Sequence, residues 1–109
     1  MARPDTLQGS LDLLVLKVLS RRAPLHGYGI MTAIEEISGE VLQVEEGSLY
    51  PALHRMEEDG LIHAKWITKE NGRRARIYQL TARGHKQLEA EEARWTAVTD
   101  AVHRVLKFA

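Results

Sequence analysis

Two β-prone runs, HAKWITKE and RARIYQL, flank Asn71-Gly72 in a chain whose other patterned segments have helical period. Asn-Gly between such runs signals a hairpin, because both residues tolerate the left-handed backbone that tight turns use. A single hairpin cannot bury its own apolar face. The helices on either side must therefore cover it, which restricts the chain to a few architectures.

Leu7, Leu11, Leu14, Val15, Val18 and Leu19 recur at helical spacing, which predicts a first helix over residues 6–21. Pro24 and Gly27 then make a turn at PLHGYG. Ile30, Ile34 and Ile37 mark a second helix ended by Gly39, and Val41, Leu42 and Val44 follow as a short β-prone run. In a third helix Leu49, Ala52, Leu53 and Met56 form the buried stripe. Ser48 is its expected N-cap, Pro51 falls in its first turn, and Gly60 suits the left-handed position after its end. Beyond the hairpin, Thr81 caps a final helix reaching to about residue 107, ~39 Å long at 1.5 Å per residue.

Three helices and then a hairpin is the order of a winged helix-turn-helix. The expected fold is mainly α with a small β-hairpin: a winged helix-turn-helix at residues 1–80 and a long C-terminal dimerisation helix at 81–109, forming one compact unit. At 109 residues a second core would leave too little apolar surface for either. Cysteine is absent, which excludes disulfides and thiolate metal sites. The N-terminus lacks the apolar run of a signal peptide, and LDLLVLKVL is too short to span a bilayer, so a soluble cytoplasmic protein is expected, with no membrane partner.

Fifteen basic and 15 acidic residues cancel, which taken alone argues against nucleic-acid binding. The distribution is uneven. Residues 35–59 hold eight acids and one base, whereas residues 63–79 hold Lys65, Lys69, Arg73, Arg74 and Arg76 against Glu70 alone. Double-stranded DNA can be gripped only through that second segment.

A third helix entering the major groove needs hydrogen-bonding or apolar side chains near its start. Ser48, Tyr50, His54 and Arg55 offer hydroxyls, an imidazole and a guanidinium, and Pro51 offers an apolar contact. In the wing, Lys69, Asn71, Arg73, Arg74 and Arg76 gather at or beside the turn. Arg73 and Arg74 suit phosphates or a narrow minor groove, while Arg76 has the alternative of pairing with an acid of the second or third helix. Lys65 and Trp66 read as structural, with Trp66 covering the core beneath the hairpin.

GSLYPALHRMEEDGLI, preceded by PLHGYG and followed by IYQLTARGHKQL, resembles the PadR family of bacterial transcriptional regulators. The Leu49-Tyr50-Pro51 triplet, the His26-Gly27-Tyr28 turn and the Leu80-Thr81-x-x-Gly84 joint carry the resemblance, which runs from about Leu7 into the final helix. It implies a homodimer of the compact subfamily, repressing transcription at inverted-repeat operators and often released by a small molecule. It also implies that Tyr50 and Pro51 contact DNA, against the alternative that Tyr50 packs on the wing or first helix. Tyr28 matches the start of the family's second helix, where packing competes with a phosphate contact.

Leu88, Trp95 and Val102 are seven apart, as are Glu91, Val98 and Val105, a seam for packing on another helix. So long a helix cannot bury that stripe against a small core, which predicts a homodimer through Leu88, Trp95, Val98, Val102 and Val105. The resemblance adds an effector reading: Trp95 as a platform for planar or aromatic compounds, with Asp100 as an acidic neighbour. The alternative is that Trp95 only fills the dimer interface. The five histidines lack metal-ligand spacing, and no phosphate-cradling glycine loop is present, so no cofactor, metal or catalytic group is expected. The acidic stretch keeps one rival open, a winged-helix protein-interaction module without DNA binding.

Overall fold

The computed structural model describes residues 3–109, with side chains from Ser10 onward. Seven elements follow in order: α1 (Arg3–Arg22), β1 (Leu25–His26), α2 (Gly27–Ile37), α3 (Glu46–Glu58), β2 (Ile62–Thr68), β3 (Arg74–Leu80) and α4 (Ala82–Leu106). The strands form one antiparallel sheet in the order β1-β3-β2. This is the expected mainly α winged helix-turn-helix with a long final helix.

The core forms where the stripes of α1, α2 and α3 meet the root of the hairpin. Leu11, Val15, Ile30, Leu49, Leu53 and Ile62 are at most 1% exposed, so each helix contributes its apolar face and water is excluded. Leu7, expected in the α1 stripe, lies outside the described side chains. Leu88, expected in a seam between two copies, is buried in this chain's own core instead and is unavailable to a partner.

The structure departs from the sequence reading at three places. PLHGYG contains a two-residue strand as well as a turn: Leu25 pairs with Tyr78 and His26 with Ile77, and His26 Nδ1 then caps α2 by accepting from the Gly29 N–H at 2.8 Å. The run Val41, Leu42, Val44 is a loop and not a strand. Two of its backbone donors are taken by side chains, Leu42 N–H by Ser38 Oγ (3.0 Å) and Val44 N–H by Glu35 Oε2 (3.1 Å). Third, α3 begins at Glu46 with Glu45 at the N-cap, so Ser48 lies inside the first turn and does not cap. Pro51 is correspondingly one turn deeper than expected. It is exposed, and so is Gly47, whose carbonyl Pro51 leaves without its usual donor, so water can serve it.

The end of α3 sets the positions of everything after it. Gly60 adopts φ +78°, Leu61 N–H donates to Met56 O (2.9 Å) and Gly60 N–H to Glu57 O (3.1 Å), a Schellman closure. Thr81, at the far end of the hairpin, returns to this turn. Its hydroxyl donates to Gly60 O (2.6 Å), its N–H donates to Leu61 O (3.1 Å), and its Oγ1 accepts from Gly84 N–H (3.0 Å) to cap α4. Gly84 is pressed so closely onto Leu61 that a Cβ built on it would lie 2.0 Å from the Leu61 carbonyl oxygen. At the other end of the hairpin, Gly72 (φ +85°) closes a four-residue turn by donating to Lys69 O (2.9 Å), and Lys69 N–H meets Arg73 O (2.7 Å). The hairpin therefore forms, with Asn71 and Gly72 as the last two residues of that turn.

Gly84→Ala should force α4 off the Leu61 turn and cost about 3 kcal/mol in urea unfolding, the upper range for overpacking against rigid backbone. Thr81→Ala, which removes a cap, should cost about 1–2 kcal/mol. Near-wild-type stability for Gly84→Ala would show that the joint yields freely.

Candidate nucleic-acid interface

With Leu49, Ala52, Leu53 and Met56 turned inward, the opposite face of α3 presents Tyr50, Pro51, His54 and Arg55 to solvent. At about 100° per residue, Tyr50 stands at one edge of this arc, Ser48 and Arg55 at the other, and Pro51 and His54 between them.

Tyr50 is packed on one side and open on the other. Its ring lies on the start of α2, where a Cβ on Gly27 would come within 2.6 Å of the phenol oxygen, so only glycine admits it. It nonetheless stays 43% exposed. Beside it, Tyr28 is 62% exposed at the second residue of α2. His54 faces Glu58 with Nε2 3.5 Å from Oε2.

At the other edge, Arg55 is engaged by α1: its Nη2 lies 2.8 and 3.1 Å from the two carboxylate oxygens of Asp12. Burial raises the Asp12 pKa from its ordinary value, and the nearby guanidinium opposes that shift without cancelling it. Ser48 lines the same shallow groove as Asp12 and Arg55, between α1 and α3.

The hairpin stands beside α3 and encloses with it an open groove of about 420 Å³, whose walls include Tyr28, Tyr50, Trp66, Lys69, Arg76 and Tyr78. Arg76 forms an ion pair with Glu57 of α3, the alternative that its sequence context left open. Burial also raises the pKa of Tyr78 beside it, with the Arg76 charge acting in the opposite sense. Trp66 does not cover the core as expected. It is 52% exposed, paired across the sheet with Arg76, and carries the Arg74 guanidinium 4.8 Å from its ring centroid. Residue periodicity could not show this, because Trp66 lies on the core-facing side of β2 but beyond the edge of the core.

Asn71 has a local structural bond, its Oδ1 accepting from the Arg73 N–H at 3.0 Å. Among the described residues, Lys65, Lys69, Arg73 and Arg74 have no ion-pair partner.

On α4, Trp95, Val98, Val102 and Val105 form an exposed apolar stripe. Asp100, five residues beyond Trp95, points about 140° away around the helix and lines a different surface with Glu89, Glu92 and Thr96. One chain does not bring Trp95 and Asp100 together. No helix among the described residues is long and apolar enough to cross a membrane, and no cluster of His, Asp and Glu among them is arranged to hold a metal ion.

Solved structures share this arrangement. A PadR-like transcriptional regulator from Bacillus cereus superposes with a TM-score of 0.82 at 28% identity, covering 96% of this chain and 99% of that one. A transcriptional regulator from Clostridium thermocellum gives 0.85 at 25% identity, with 94% and 99% covered. A transcriptional regulator of Mycobacterium tuberculosis is 39% identical over 54 residues, which is 50% of each chain. Residues 15–90, from the middle of α1 into α4, match the transcriptional regulator PadR-like family, and the chain belongs to that family.

Proposed function

We propose that this protein is a DNA-binding transcriptional regulator, a repressor acting as a homodimer on an inverted-repeat operator. One observation carries the reading: the hairpin whose Lys69 lines a groove with the exposed Tyr50 of α3 also carries Arg73 and Arg74, and none of the three cations has an acid partner among the described residues. Unpaired cations are the groups that phosphate neutralisation requires.

In this reading Tyr50, Pro51 and His54 enter the major groove, with Ser48 at its border and Tyr28 at a flanking phosphate. Lys69, Arg73 and Arg74 hold the backbone. Arg55 and Arg76 contribute mainly by fixing α3 to α1 and to the wing, since their charges are already met by Asp12 and Glu57. Residues 1–80 do the reading, and residues 81–109 pair two copies through Trp95, Val98, Val102 and Val105. The apolar stripe supports that pairing, because a monomer would leave it in water. The effector reading is a planar or aromatic compound stacked on Trp95 between the two copies, with Asp100 on a different surface of α4 and outside that stack.

The test is fluorescence anisotropy with the protein's own upstream promoter and a random duplex, titrated with salt. Specific binding should weaken steeply as salt rises, and salt-insensitive or absent binding would favour a protein-interaction module. Replacing Arg73 and Arg74 together with Ala should weaken binding to both duplexes and lower the salt slope by about 2. Tyr50→Ala should cost about tenfold on the operator and little on random DNA; equal losses on both would remove it as a reader. Val98→Glu with Val102→Glu should give monomers by sedimentation, and an unchanged dimer would place the interface elsewhere.

A further inference from the structure

Trp66 is half exposed on the inner face of the wing, where an unpartnered ring gains little from burial. Its register supplies its partners. Trp66 lies opposite Arg76, and Thr68, on the same side of β2, lies opposite Arg74, so both arginines project on the side of the sheet that carries the Trp66 ring. Their guanidinium carbons lie 4.8 Å (Arg74) and 5.8 Å (Arg76) from the ring centroid. The two arginines differ in one respect: Arg76 is tied to Glu57, whereas Arg74 has no acid partner among the described residues.

A guanidinium stacked on a ring uses its flat face and leaves its N–H edge free for a bidentate anion. A free arginine side chain must instead be ordered when it binds, which weakens each contact it makes. Trp66 also lines the groove between the wing and α3, so the Arg74 stack is held at the edge of the surface proposed to meet DNA.

We propose that Trp66 is a positioning residue for DNA binding: its ring holds the Arg74 guanidinium pre-oriented for a backbone phosphate beside α3. This rests on the DNA-binding reading above. Glu57, Arg76, Trp66 and Arg74 form a continuous chain from the recognition helix to the wing, so the phosphate contact is aligned with α3.

The experiment compares Trp66→Leu, Trp66→Phe, Arg74→Ala and the double variant Trp66→Leu/Arg74→Ala in the full chain, using operator and random duplexes across a salt series. Trp66→Leu keeps apolar bulk but removes the π face, and thermal melting checks that each variant is folded. Trp66→Leu should weaken both duplexes about two- to fivefold, the range expected of an exposed cation–π contact. Trp66→Phe should recover most of that loss. The double variant should bind no worse than Arg74→Ala, because the ring acts only through that guanidinium. Wild-type affinity for Trp66→Leu, or additive losses in the double variant, would overturn the proposal. A wild-type protein without salt-dependent DNA binding would overturn the DNA-binding reading itself, a distinguishable result.

Discussion

The contact of Gly84 with the Leu61 carbonyl is the constraint on which the other elements depend. It joins the end of α3, the start of β2, the end of β3 and the start of α4 within a few ångströms, and the Thr81 hydroxyl closes it from both sides. The pitch of the hairpin relative to α3 and the direction in which α4 leaves the core are both set there. A residue with a Cβ at position 84 would tilt the long helix, and a small tilt becomes several ångströms at its far end. The spacing of two recognition helices in a dimer would inherit that displacement.

A second close approach orders the exposed face of α3. Gly27 lets the Tyr50 ring rest on the start of α2, so an aromatic that would otherwise rotate freely has one side fixed and the other open. Side chains fixed in this way lose less entropy on binding. Tyr50 on α3 is thus an exposed ring held on one side by the fold.

Much of this was legible in the sequence because it rests on local signals. The four helices, the hairpin, the Gly60 closure and the Thr81 cap come from periodicity and turn chemistry, which act over a few residues. Most of what escaped depends on partners distant in the chain. β1 is two residues long and exists only because Tyr78 and Ile77 pair with it. Arg55 looks free along α3 and is met by Asp12, 43 positions earlier. Leu88 fits a heptad seam but falls where α4 still crosses its own core, so the seam begins only beyond it. Trp66 read as a core residue because strand alternation fixes which side a residue faces, not whether the core extends that far.

Charge placement then accounts for a neutral chain suited to a polyanion. Four acids on the body are matched with bases from other parts of the chain: Asp12 with Arg55, Glu36 with Arg22, Glu57 with Arg76 and Glu92 with Lys17. The remaining acids next to the reading face, Glu45, Glu46, Glu58 and Asp59, bracket α3 at its two ends. A duplex approaching either end of the helix meets negative charge, whereas one centred on Tyr50–His54 with its backbone along the wing meets the unpaired cations. In the proposed complex, attraction would come from the wing, and repulsion at the ends of α3 would penalise misaligned approach. Zero net charge is then compatible with DNA binding.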